Sequence, residues 1–355
     1  QHFNDNAALG LVAFLPGSVI VDAGGLDAIQ AALDAGGANV VIFVDAGGTW
    51  DGIIDGDSLN ALTIANENVQ LVSFGGTATL DFSSLNGATA INITASDVIV
   101  EGFDMVGTAS LTQAVITVSD TASGVAILNN TILSGAGGVS GILVLGNGAL
   151  VQGNTITGAG AGVGRGILVD SSVIAGGTIT GVTIDANVVG GFGSGAIVVD
   201  PVLGQTVTGN TITSDASHGI QSDSPVGNVV IGDNTINNVG GNGILVNDGV
   251  GTGADAISIV NNTIGNDNSS GDIGLAGIFV LNSAGHGAIA ITDNLIGTGP
   301  DAAQIGNSAI RVDSGGTAQI AITGNEIGTG GAGLGEHGHA SGGPAGGSLT
   351  AGPTG

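Results

Sequence analysis

The stretch GNTITG at residues 153–158 returns as GNTITS at 209–214, and close copies surround both: NNTILSG, DANVVGG, DNTINNV, NNTIGND, DNLIGTG and GNEIGTG. Aligned on the shared asparagine, the chain places eight of them in series: Asn130, Asn154, Asn187, Asn210, Asn234, Asn262, Asn294 and Asn325. Successive spacings are 24, 33, 23, 24, 28, 32 and 31 residues. Repeats of this length mark a solenoid, a propeller or an array. An aliphatic residue stands three before each asparagine (Ile127, Val151 and Ile184 in the first three units) and another two after it (Ile132, Ile156, Val189). Apolar and polar residues alternate on both sides, the period of a strand whose side chains point alternately to two faces.

A further strand follows in most units, with its own signature: GILVLG, GILVDS, AIVVDP, GILVND, GIFVLN and AIRVDS, with GIQSDS as a weak copy. Each unit therefore reads as strand, bend at the asparagine, strand, loop, strand, loop. No segment has a helical period long enough to build a helical solenoid. The pattern predicts an all-β fold, a parallel β-helix of about ten coils.

The asparagine has a physical role in such a fold. The bend between two strands favours a residue that tolerates the left-handed backbone region, and asparagine does so better than any residue but glycine. Coils stack at ~4.8 Å, so successive amides lie one above the other. Each amide can donate to one neighbour and accept from the next. The eight asparagines are expected to form a structural ladder at a buried corner.

Composition limits the partners. Of 355 residues, 70 are glycine and two, Arg165 and Arg311, are lysine or arginine, for a formal net charge of −27. Such a surface repels nucleic acid and anionic lipid. Its high aliphatic content opposes disorder. No apolar run reaches the roughly 18–20 residues of a membrane span, so membrane insertion is not expected. Cysteine is absent, which excludes disulfides and thiolate metal sites. No signal peptide is legible, and an extracellular or cell-surface location is read from composition alone.

Upstream, NALTIANENVQLVSFGG and AINITASDVIVEGFDMVG keep the alternation, with Asp104 where asparagine stands later. Before them, Leu26, Ile29, Ala32 and Leu33 have helical spacing and Gly36 and Gly37 end it. A short helix here caps the open end of the apolar column. Three regions are expected: residues 1–50, an N-terminal segment with a capping helix that leads into the first coil; 51–328, the parallel β-helix; and 329–355, a glycine-rich tail without periodicity. The C-terminal end shows no comparable cap, which leaves an edge open to continuation.

DAIQAALDAGG…VVIFVDAGGTW followed by ITASDVIVEGF resembles the start of the pectin-lyase-like right-handed parallel β-helix superfamily. NNTIGND and DNLIGTG are similar to repeats of its large secreted bacterial surface proteins, of adhesin type. The resemblance spans about residues 18–330 and implies a right-handed coil with three parallel sheets. It is specific for fold and poor for function, because that scaffold carries lyases, hydrolases, epimerases and inert adhesins alike.

The catalytic patterns that the resemblance brings with it are incomplete here. Pectate lyases use an arginine or lysine base among further basic residues, whereas Arg165 and Arg311 lie five to six coils apart. The polygalacturonase pattern needs paired aspartates, Gly-His-Gly and a basic pair. GHG occurs at 285–287 and a second histidine in SHGI at 217–220, but there is no lysine and no Asp-Asp pair. Alginate epimerases use Asp-Pro-His, and Asp200-Pro201 is followed by valine. In the tail, EHGH groups Glu336, His337 and His339, residue types that suit zinc or nickel, within a segment that reads as solvated.

Columns on the outer faces say more than motifs. Three residues after the inward isoleucine of the third strand come Leu145, Asp170, Asp200, Asp223, Asn247, Leu281 and Asp313. Asp170, Asp200 and Asp223 fall on successive coils, where like charges repel unless one takes a proton or a cation intervenes. Hard oxygen ligands of this kind suit Ca2+, the one cofactor the sequence suggests. One residue after the same isoleucine come Leu143, Leu168, Val198, Gln221, Leu245, Phe279 and Arg311. A mostly apolar outer column, with Leu143, Leu168, Val198, Leu245 and Phe279, is expected to be covered by longer loops or to contact another subunit.

The expectation is a non-enzymatic extracellular structural or adhesive β-helix of a bacterial surface or matrix. It binds itself or another surface component, or a glycan, and self-assembles into a filament or layer. The competing reading is a secreted polysaccharide lyase, hydrolase or epimerase acting on a polyuronate or similar glycan. Eight phenylalanines, one tryptophan and no tyrosine leave few platforms for sugar stacking, which favours the first.

Overall fold

In a computed structural model of the chain, residues 17–51, 60–135, 139–159, 164–172, 174, 177–215, 217–248, 256–266, 273–282, 287–298, 305–314 and 319–328 are described. They form three parallel sheets, A, B and C, of 12, 11 and 10 strands. One coil runs from A to B to C, as in Ala126–Leu128, Thr131–Leu133 and Ser140–Val144, and the next begins at Leu150–Gln152. Strands neighbouring in a sheet come from successive coils, and every pair is parallel. The inward residues form one continuous apolar column that includes Ile127, Ile132 and Ile142, each fully buried.

The third-strand signature has a packing cause. Where its leading residue is glycine, an isoleucine or valine of sheet B crosses the corner against it. A Cβ at Gly243 would stand 2.6 Å from Cγ2 of Ile264 and 2.7 Å from the carbonyl oxygen of Gly277. Only glycine fits there, so the column interlocks tightly at the passage from B to C.

The single helix among the described residues, α1 (Leu26–Gly36), lies between the first two strands of sheet A, Ser18–Val21 and Val41–Asp45. The column thus begins before the helix. Leu26, Ile29 and Leu33 are buried against it. The helix also closes a sheet edge: Gln30 Nε2 donates to the Thr63 carbonyl at 3.1 Å, and the Thr63 N–H donates to Gln30 Oε1 at 2.8 Å. One side-chain amide thereby replaces a neighbouring strand at the first strand of sheet C, Asn60–Ile64. Asn66 Nδ2 donates to the Leu33 carbonyl at 3.0 Å, satisfying one of the helix's C-terminal acceptors.

The ladder runs along the A–B corner. From Asn130 to Asn294 the side chains are buried, and each Oδ1 accepts from both the N–H and the Nδ2 of the preceding asparagine or, at Asn130, from the Phe103 N–H. Each Nδ2 also donates to a carbonyl of the previous coil, as Asn210 does to Ile184 at 3.0 Å. Two expectations are corrected here. The left-handed residue is the one before each ladder asparagine: Asn129, Gly153, Ala186, Gly209, Asp233, Asn261, Asp293 and Gly324 have φ of 53–69°. The chain reverses at that residue, which frees the asparagine to turn inward. Asp104 is also not a ladder residue. It pairs with Thr131, so the ladder position in that coil belongs to Phe103.

At the other end, the last described coil leaves Ile320 and Ile322 partly exposed and Ile327 45% exposed. His286, the EHGH cluster and the glycine-rich tail lie outside the described residues.

Candidate functional site

Sheet C carries both outer columns: the apolar one is paired strand by strand throughout, and the acidic one from Asp170 to Asp200 and again from Asp223 to Asp313. Leu143, Leu168, Val198, Gln221, Leu245, Phe279 and Arg311 are direct partners across successive strands. Beside them Asp170 pairs with Asp200, Asp223 with Asn247, Asn247 with Leu281 and Leu281 with Asp313. Parallel in-register strands hold the two columns side by side along the axis.

The apolar column is only partly open. Val198 is 3% exposed though it faces away from the core, and Leu143, Leu168, Leu245 and Phe279 are half-buried. The Arg311 guanidinium lies 4.6 Å from the centroid of the Phe279 ring and is paired with Asp313. One of the chain's two cations is thus held against the strip by an aromatic face and a carboxylate.

The acidic column behaves as close like charges do. Burial, then Asp223 and Asp170, raise the pKa of Asp200, and Arg165 opposes them. Asp170 accepts from the Ser172 N–H at 2.8 Å, and Asp223 accepts from Gln221 Nε2 and, at 3.1 Å, from Asn247 Nδ2. Among the described residues no group of three or more histidine or acidic side chains is placed to hold a metal ion.

Sequence reading singles out His218 but misses its partner Asn242, the buried Asp215, a polar pair in the core and an outer aromatic pair. In the weak copy GIQSDS, the hydroxyl of inward Ser222 meets Gln205 Nε2 from sheet A inside the apolar column. Two polar residues in one coil, at positions that are aliphatic elsewhere, are the signal. At the B–C corner, His218 Nδ1 accepts the Asn242 N–H at 2.8 Å, which assigns the proton to Nε2. Burial lowers the His218 pKa, partly offset by Asp223. In the same corner Asp215 is buried. On the outer face of sheet A, Phe43 and Phe74 form an edge-to-face pair 5.6 Å apart, next to exposed Ile20, the strand partner of Phe43.

Parallel coils, three sheets and a buried amide ladder define a β-helix. Residues 113–296 match the family described as right handed beta helix region, and the chain belongs to it. In fold it is similar to PfbA, a surface adhesin of Streptococcus pneumoniae, with a TM-score of 0.59, 11% identity and coverage of 85% of this chain and 86% of that one. It is also similar to the Agl-KA catalytic domain, with a TM-score of 0.51, 13% identity and coverage of 87% and 69%. The A-module of mannuronan C-5 epimerase AlgE4 from Azotobacter vinelandii aligns at a TM-score of 0.49 and 15% identity, over 87% of this chain and 95% of that one. No curated protein matches the chain in sequence. The fold is common to an adhesin and to a catalytic domain, and at these identities the likeness is one of fold alone.

Among the described residues no helix is long and apolar enough to cross a membrane.

Proposed function

We propose that the chain is a non-enzymatic structural or adhesive element of a bacterial surface or matrix, with the outer face of sheet C as its recognition strip. The observation that carries this reading is repetition. Aliphatic or aromatic residues recur at one position from Leu143 to Phe279, interrupted by Gln221, and aspartates at a second from Asp170 to Asp313, interrupted by Asn247 and Leu281. A catalytic site converges on one bond, whereas a strip with a period of ~4.8 Å suits an extended partner lying along the axis. Trp50 is in the core with its indole N–H on the Asp45 carbonyl, and Phe82, Phe103 and Phe192 are buried, so these aromatic rings are not offered to sugars. The partner is another copy, a surface component or a glycan.

The test is a paired substitution, Leu168→Asp with Leu245→Asp. Both side chains face outward, so the column should fold unchanged by circular dichroism. Loss of self-association in sedimentation, or of binding to bacterial surface polysaccharide, supports the strip. Unchanged association and unchanged binding remove it.

One observation favours a second reading. Asp200, raised by burial and flanked by Asp170 and Asp223, suits a general acid in glycan cleavage. Turnover of a polyuronate that is lost in Asp200→Asn would establish that reading instead.

A further inference from the structure

The corner between sheets B and C keeps an ionisable group in a dry place. Asp215 ends the strand Thr211–Asp215 and is 3% exposed. Its Oδ1 accepts the N–H of Phe192 at 2.7 Å. Its Oδ2 is buried and has no hydrogen-bond partner among the described residues. The main chain around it is tied to neighbouring coils: the Asp215 carbonyl accepts the Gly240 N–H at 2.8 Å, and the His218 carbonyl accepts the Ala196 N–H at 3.1 Å. Immediately beyond runs the sheet C strand Ile220–Asp223.

A carboxylate with one donor and one dry oxygen is costly to keep ionised. It must take up a proton, or the corner must open to water. Burial, opposed by the Phe192 N–H, pushes the Asp215 pKa up to about 7. Charge plays no part in the shift. The flanking strands Val188–Gly190 and Thr235–Val239 carry no ionisable side chain. The charged groups of the adjoining face, Arg165, Asp200 and Asp223, act on one another and on His218, not on Asp215.

We propose that Asp215 is a proton-operated latch of the B–C corner: protonated, it holds the corner seated in the column, and ionised, it releases the corner and the start of the strand Ile220–Asp223. That strand carries Gln221 and Asp223 on the outer face, so the latch sets the order of the sheet C surface at this coil. The sign follows from linkage. The folded state holds the Asp215 proton up to a higher pH than the unfolded chain does, so its contribution to stability is complete at low pH and falls as pH rises through the folded pKa.

The experiment compares the wild-type chain with Asp215→Asn, a permanent mimic of the neutral form, in urea denaturation from pH 5 to 8.5. The ratio of folding constants, variant over wild type, should rise ~50-fold between pH 5 and 7 and only about twofold more by pH 8.5. Asp215→Asn made in a His218→Gln background should give the same rise over His218→Gln alone. Hydrogen exchange in the wild type gives a second readout that does not depend on the variant folding. Protection of the Phe192 amide, corrected for intrinsic exchange, should fall as pH rises through 7. A ratio that stays flat with pH, or Phe192 protection that does not change, overturns the latch.

Discussion

Asn154 and Asn187 are 33 residues apart in sequence and doubly joined in space: the N–H and the Nδ2 of Asn154 both donate to Oδ1 of Asn187, each at 3.0 Å. The same pair of bonds recurs along the corner, so every interior asparagine serves a main-chain donor and a side-chain donor of its neighbour. In Asn187→Ala the buried Asn154 N–H loses its acceptor, while Asn154 Nδ2 keeps the Ile127 carbonyl. At about 1–3 kcal/mol for a buried group left unpaired, the loss should be of that order. Asn325→Ala, at the half-exposed end of the ladder, should cost visibly less. Urea denaturation of the two variants checks the order, and equal losses would mean that burial does not set the ladder's worth.

Ala186 holds the left-handed position before Asn187 with φ of 53°, where other coils place glycine, asparagine or aspartate. A Cβ in that region costs ~1–2 kcal/mol, and glycine removes the clash at some cost in chain entropy. Ala186→Gly should raise stability by up to about 1 kcal/mol. A lower melting temperature for the variant would show that this corner is relaxed as it stands.

Gln30 replaces a missing strand at the first strand of sheet C. In Gln30→Ala the Thr63 N–H and carbonyl lose their partners, at about 1–2 kcal/mol in all. The effect should be local. Hydrogen exchange should quicken at Thr63 while the coils beyond Asn130 keep their protection, because a solenoid couples mainly nearest neighbours. Uniform loss of protection along the column would contradict this.

His218 works against Asp215 in the pH response. Its folded pKa lies below 6.5, so the unfolded chain binds the proton more readily. Its contribution is complete above pH 6.5 and is lost as pH falls through the folded value. Protonating Nδ1 also removes the acceptor of the Asn242 N–H. His218→Gln should therefore flatten the fall in stability on the acid side of 6.5, measured by thermal melts from pH 4.5 to 7. A fall as steep as in the wild type would place the acid sensitivity elsewhere.

Much of the fold can be read because inward and outward residues alternate along each strand, and because the repeated corner pins the register from coil to coil. Leu168 beside Val198 and Asp170 beside Asp200 follow from counting along the chain, and both pairs occur. The corners are less legible. Alternation gives no reason for the glycine of GILV, and Ile264 crossing Gly243 supplies one. The bend reads as the work of asparagine, because asparagine is its most regular residue. The residue that actually reverses the chain varies among glycine, asparagine, aspartate and alanine, and so leaves no pattern.

The amino-acid sequence by itself determined the coil: its period, its three strands, the faces they bury and the asparagine that marks one corner. These follow from local alternation, which is written in neighbouring residues. Only the tertiary structure decided what lies dry at the other corner and what closes the first edge. Whether Asp215 meets a donor, or Gln30 meets Thr63, depends on residues 23 and 33 positions away. Burial and pairing across coils are set by the stacking of the whole column, and no single repeat contains them.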